Sequence, residues 1–178
     1  MRLIIIGTDH RLQYTVAQDN KTKAWAPRSG GHRYRKLIAY CIEKLGVKAI
    51  LEEAHLDQER IAPTICSILA KECRLDWQAI GPGTPDLSDG LFDPPFVEAI
   101  RLGIKPELLA GRYVLKTHQI REAFMHETIM KRFEEYDCVL AVVGYVHLGV
   151  LARMFEADQI PVEAFLFTYP LVVDETKS

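Results

Sequence analysis

Short apolar runs alternate along the chain with longer stretches in which apolar residues recur three or four apart. The runs Leu3-Ile4-Ile5-Ile6, Ala49-Ile50-Leu51, Trp77 to Ile80, Val139-Leu140-Ala141-Val142-Val143 and Val162 to Phe167 have the length of strands and are bounded by polar or turn residues. Between them the spacing predicts helices over 34–45, 56–73, 118–136 and 148–155, with Ile61, Ile65, Ile68 and Leu69 as the apolar stripe of the second. Pro94-Pro95 before Phe96 to Ile100 predicts a further helix that Gly103 ends. Strands alternating with helices predict an α/β fold with a largely parallel central sheet of about five strands flanked by helices. The unbroken apolar run 139–143 predicts a central strand covered on both faces.

Length and composition narrow this picture. A chain of 178 residues suits a single domain that buries a core without help from disulfides. With 48% hydrophobic residues and a net charge of -2, neither disorder nor generalised nucleic-acid binding is expected. No stretch approaches the ~20 apolar residues of a membrane span, and 3–6 is too short for the apolar region of a signal peptide, so a cytoplasmic protein is expected. Cys41, Cys66, Cys73 and Cys138 lack the close pairing of a zinc ribbon or redox motif and read as reduced structural thiols, although Cys66 and Cys73 stand two helical turns apart.

Two connections are longer than such folds usually need, and long ordered loops often carry function. The first, about 19–36, holds Lys21, Lys23, Arg28, Arg33, Arg35 and Lys36 against Asp19, with Gly30-Gly31 as a hinge, and reads as a mobile basic lid. The second, about 81–95, is rich in Pro, Gly and Asp and reads as a loop on the same rim. Solvated surface without a role is the competing reading for both.

Ligands of open parallel sheets bind beyond the carboxyl ends of the strands. Strand one there ends in Gly7-Thr8-Asp9-His10, strand two in Glu52-Glu53-Ala54-His55 and strand four in Gly144-Tyr145-Val146-His147. Two Gly-x-x-His motifs at equivalent strand ends bring two imidazoles and a carboxylate, Glu52 or Glu53, toward one crevice. Such a trio suits a divalent metal with open positions for water and substrate. It equally suits metal-free general-base catalysis, with the carboxylate fixing an imidazole tautomer. Arg121, in Ile120-Arg121-Glu122-Ala123-Phe124-Met125, is read near a helix N-terminus, with Ile120, Phe124 and Phe133 toward the core, and is a forked clamp for a substrate oxyanion. The ordinary alternative is a surface arginine paired with Glu122 or Glu127.

Gly7-x-x-His10, the strand-two glutamate, Arg121-Glu122-x-x-Met125 and Gly144-x-x-His147 occur in the order found in the erythromycin esterase/ChaN-like superfamily, which the chain resembles from residue 7 to about residue 155. That group includes the TraB and pheromone-shutdown proteins and the Tiki metalloproteases. The resemblance implies an α/β core with a site formed by His10, Glu52, Arg121 and His147, with Glu53 competing for the carboxylate role. Glu122 departs from the Asn or Asp that commonly follows the arginine. The group holds ester hydrolases, proteases proposed to need a divalent metal and haem binders, so membership alone does not fix a reaction; the shared strand-end placement of the motifs makes hydrolysis of an ester or peptide bond in a small molecule or peptide the expected activity. On this expectation His10, Glu52, Glu53 and His147 hold zinc, manganese or cobalt, while Arg121, Arg28 and Lys23 bind substrate. The alternative is a protein that holds haem, a metal or a small anion without chemistry.

Overall fold

The computed structural model describes residues 1–13, 16–18, 25–27, 31–54, 63–81 and 111–167, and at 10, 11, 16–18, 25–27 and 111–117 the backbone alone. In chain order these form β1 (Arg2–Thr8), α1 (His10–Gln13), β2 (Val16–Gln18), β3 (Trp25–Pro27), α2 (Gly31–Leu45), β4 (Ala49–Glu52), α3 (Ile65–Cys73), β5 (Asp76–Ala79), α4 (Gly111–Phe133), β6 (Cys138–Gly144), α5 (Tyr145–Ala157) and β7 (Val162–Phe167). Five strands make one parallel sheet in the order β5-β4-β6-β1-β7, while β2 and β3 form a separate antiparallel ribbon.

Alternation along the strands divides the core in two. Ile4, Ile6, Ile50, Leu140 and Val142 pack with Tyr34 and Ile38 of α2 and Ile65, Cys66 and Leu69 of α3. Leu3, Ile5, Leu51, Val139, Ala141 and Val143 pack on the other face with Met125, Ile129 and Phe133 of α4 and Leu151 and Phe155 of α5. β6 is central and buried throughout, as its unbroken apolar run predicts, because helices cover it on both faces. Chain direction sets the crevice. After β4 the chain passes to the outer strand β5 through α3, whereas after β6 it passes over β1 to β7 through α5 on the opposite face. The two connections diverge, and a gap opens between the carboxyl ends of β4 and β6.

The sequence pattern and the structure differ in several places. α2 begins at Gly31, so this glycine is not a hinge, and Arg33, Arg35 and Lys36 belong to a helix rather than to a basic loop, with Arg35 paired to Glu72 of α3 at 2.6 Å. The preceding connection contains α1 and the β2–β3 ribbon; Lys21, Lys23, Arg28 and Gly30 lie outside the described residues. α3 starts at Ile65 because Thr64, extended at φ -72° and ψ 160°, caps it by accepting a hydrogen bond from the Ser67 N–H. Residues 55–62, the proposed helix after Pro94 and the 82–95 loop are outside the described set.

α4 begins at residue 111, which puts Arg121 in its middle rather than near its N-terminus. The face of α4 turned to the sheet is Glu122, Met125, Ile129 and Phe133, and Phe124 is exposed, because the helix is rotated from the stripe that Ile120 and Phe124 suggested.

Gly7 is required by a close approach of α5: a Cβ built there lies 2.8 Å from Leu148 Cβ and 2.9 Å from Leu148 Cδ2. The Gly7→Ala variant is therefore expected to lose roughly 1–3 kcal/mol of stability through overpacking. Urea denaturation should show much of that loss recovered in Gly7→Ala/Leu148→Ala relative to the sum of the single changes.

Candidate active site

β4 ends in two glutamates that turn to opposite faces of the sheet. Glu52 follows the strand's alternation toward α2 and α3, and Glu53 turns toward α4 and α5; both are buried. Backbone bonds hold the turn, since Glu53 N–H donates to Val142 O at 2.7 Å, and Ala54 and Ile80 N–H both donate to Glu52 O at 2.8 Å. Gly81 lets β5 close against it, for a Cβ there would stand 2.9 Å from Ala54 O.

Glu53 is the centre of a polar cluster that spans the gap. One of its oxygens, Oε2, accepts the Gly144 N–H at 2.7 Å, where β6 passes into α5. The other, Oε1, accepts from Arg121 of α4 and lies 3.6 Å from His147 Nε2. His147, in the first turn of α5 and only 1% exposed, meets Glu122 Oε1 with Nδ1 at 2.9 Å. His118 sets its ring edge on to that of His147, with centroids 5.0 Å apart and planes at 71°. Partial burial, then His147 and Arg121, hold His118 below its ordinary pKa and favour its neutral form. His118, Glu122 and Met125 follow helical spacing, so one stripe of α4 is polar where it reaches the strand ends and apolar below. Arg121 Nε is buried with no hydrogen-bond partner among the described residues.

Glu52 stands apart. Its Oε2 accepts from Thr64 Oγ1 at 2.5 Å and Trp77 Nε1 at 3.0 Å, while its Oε1 is buried with no hydrogen-bond partner among the described residues. Burial pushes the Glu52 carboxyl up to about 7, against the pull of the Thr64, Trp77 and Cys66 hydrogen bonds toward the charged form.

Of the residues singled out in the sequence, Glu53, Arg121 and His147 come together and Glu52 does not join them. Strand alternation sends consecutive side chains to opposite faces, so one glutamate alone reaches the cluster. Arg121 pairs with Glu53 instead of Glu122 or Glu127. His10 opens α1, two residues beyond Thr8, which lies beside Gly144 in the sheet; the two Gly-x-x-His motifs thus sit on adjacent strands one residue out of step. The His10 side chain lies outside the described residues, as do Lys23 and Arg28. Sequence reasoning missed Glu122 and His118 as members, and their spacing from Met125, Ile129 and Phe133 was the available signal.

The described donors do not make a metal site. Among the described residues no three His, Cys, Asp or Glu side chains are placed to hold an ion. The oxygen of Glu53 nearest His147 already bears a guanidinium, and two unit charges ~4 Å apart repel by about 4 kcal/mol at an effective dielectric near 20. Haem fits no better, since His147 is buried with Nδ1 held by Glu122 and Nε2 facing Glu53. Cys66 is buried and Cys73 exposed, so they do not share one environment, and all four cysteines are free thiols. No helix among the described residues is long and apolar enough to cross a membrane. No protein-family model, curated protein or solved structure matches the chain.

Removing Arg121 takes the guanidinium from the buried Glu53 carboxylate, so Arg121→Met should cost about 3–5 kcal/mol, and Arg121→Met/Glu53→Gln should regain a substantial part of it in chemical denaturation. Glu52 gives a pH signature of the opposite kind. Its native pKa lies above the unfolded 4.5, so its stabilising proton is fully in place below 4.5 and that contribution is lost as pH rises through about 7. Between about pH 4.5 and 8 the stability of Glu52→Gln relative to wild type should therefore rise by roughly 3 kcal/mol, read from urea midpoints at each pH.

Proposed function

We propose that the chain is a hydrolase of ester or peptide-type acyl bonds in which His147 moves the proton and Arg121 binds the developing oxyanion. The observation that carries this reading is the 2.9 Å contact of His147 Nδ1 with Glu122. With Nδ1–H donating to that carboxylate, Nε2 is the basic nitrogen. Glu53 Oε1 at 3.6 Å is beyond hydrogen-bonding distance, so Nε2 keeps its lone pair for a water proton.

Water attacks the acyl carbon as Nε2 takes its proton. The carbonyl oxygen, now an oxyanion, receives the Nε–H of Arg121, and collapse expels the alcohol or amine, which takes the proton back from Nε2. Glu53 contributes by fixing Arg121 and the Gly144 turn, and His118 flanks the approach to His147. The resemblance to the erythromycin esterase/ChaN-like superfamily agrees with a hydrolase, and the guanidinium on Glu53 favours direct general-base catalysis over a metal.

One observation favours a second reading, a small-anion binding site without turnover: Arg121 Nε has no hydrogen-bond partner among the described residues while His147 is closed to solvent. A panel of aryl esters and fluorogenic peptides, tested with chelator-treated protein, separates the two. His147→Gln is expected to lower kcat/KM by about 10²–10⁴-fold and Glu122→Gln by less, with folding intact by circular dichroism. Turnover that survives His147→Gln, or that a chelator abolishes and zinc restores, overturns the mechanism. Saturable acetate or phosphate binding that Arg121→Met removes, with no turnover of any substrate, supports the binding site instead.

A further inference from the structure

On the far side of β4 from the cluster, Glu52 is the meeting point of three elements, β4, α3 and β5. Its side chain accepts from Thr64, the N-cap of α3, and from Trp77 of β5, while its main-chain carbonyl accepts from Ala54 and from Ile80 just beyond β5. The next residue is Glu53, which ties α4 to the start of α5. Whatever moves the end of β4 on one face therefore moves the carboxylate that organises the other.

The surroundings of Glu52 hold no compensating charge among the described residues. Tyr34 of α2 and Cys66 of α3 are the titratable groups that face it; they contact each other at 3.3 Å, and burial pushes both well above their ordinary ranges, so both remain neutral. Trp77 and Thr64 donate but do not titrate, and β6 presents Val142 beside it. No basic side chain acts on Glu52 among the described residues. A proton on Glu52 belongs on Oε1, since Oε2 already accepts two hydrogen bonds, and Oε1 is buried with no hydrogen-bond partner among the described residues.

We propose that Glu52 is a positioning residue for the Glu53–Arg121–His147 cluster: as a neutral acid it clasps the end of β4 to α3 and β5, and its ionisation loosens that end and displaces Glu53. A carboxylate that has no cation beside it among the described residues must be hydrated, and the way to admit water is to part β4 from the α3 cap and β5. The consequence for turnover rests on the catalytic reading of the cluster, whereas the coupling itself is read without any substrate.

Trp77 reports on Glu52 directly, and in a Trp25→Phe background it is the sole tryptophan. Its emission is expected to change in one step with a midpoint at about 7. The Gly144 amide resonance, which reports the Glu53 contact, should shift with the same midpoint. Glu52→Gln should abolish both changes. Thr64→Val removes a hydrogen bond that favours the charged form and should move both midpoints to higher pH, which keeps the test open if Glu52→Gln fails to fold. If Trp77 shows no step, or the step persists in Glu52→Gln, or the Gly144 amide stays still while Trp77 titrates, the coupling is overturned. If both probes move together but no hydrolysis is found on any substrate, the coupling stands and the hydrolase reading alone falls.

Discussion

Two adjacent carboxyl groups buried at the end of one strand, one on each face of the sheet, constrain the arrangement around them. A carboxylate taken out of water without partners costs several kcal/mol, so each glutamate must be matched by its own layer. The structure meets this in two different ways. Glu53 receives a guanidinium and a backbone N–H, which suit a charged oxygen pair. Glu52 receives only neutral donors, Thr64, Trp77 and Cys66, and no cation among the described residues, which leaves burial the larger influence and favours the proton.

This division explains why polar groups are gathered at a place where the sheet would otherwise be at its driest. Lower down, both faces of β1, β4 and β6 are filled by Leu, Ile, Val and Ala against the helices. At the carboxyl edge the connections after β4 and β6 depart to opposite faces, and Thr8, Glu52, Glu53 and His147 are buried there. α4 supplies the match with a stripe whose last apolar member before the edge is Met125 and whose next positions are Glu122 and His118. α5 supplies His147 from its first turn, where Gly144 delivers its N–H to Glu53.

A network of this kind is a poor way to gain stability, since hydrophobic residues of similar volume would serve at least as well. What it provides is order: His147 is held at Nδ1, Arg121 is held by Glu53, and each holder is itself buried and fixed. Preorganised donors in a low-dielectric setting act strongly on charge that develops during a reaction, because they need not reorient when it appears. The Nε of Arg121, with no partner among the described residues, fits such a role, since a buried donor without an acceptor is stabilised when a ligand provides one.

The amino-acid sequence by itself determined the layered α/β class, the five strands of the sheet to within a residue or two and the central place of β6, because apolar periodicity records which faces are buried. It also marked Glu53, Arg121 and His147, since strand ends and a polar interruption of a helical stripe are visible along one dimension. It put Glu52 ahead of Glu53 for the site, placed α4 in the wrong rotation and missed His118, because each of those depends on which neighbour a face meets. Only the tertiary structure decided them: strand order opened the gap between β4 and β6, the close approach of α5 at Gly7 fixed where His147 stands, and the pleat sent one glutamate to the guanidinium and the other to an interior with no cation among the described residues. Residues 52 and 53 are chemically identical, so their different roles come entirely from the direction in which the backbone turns each of them.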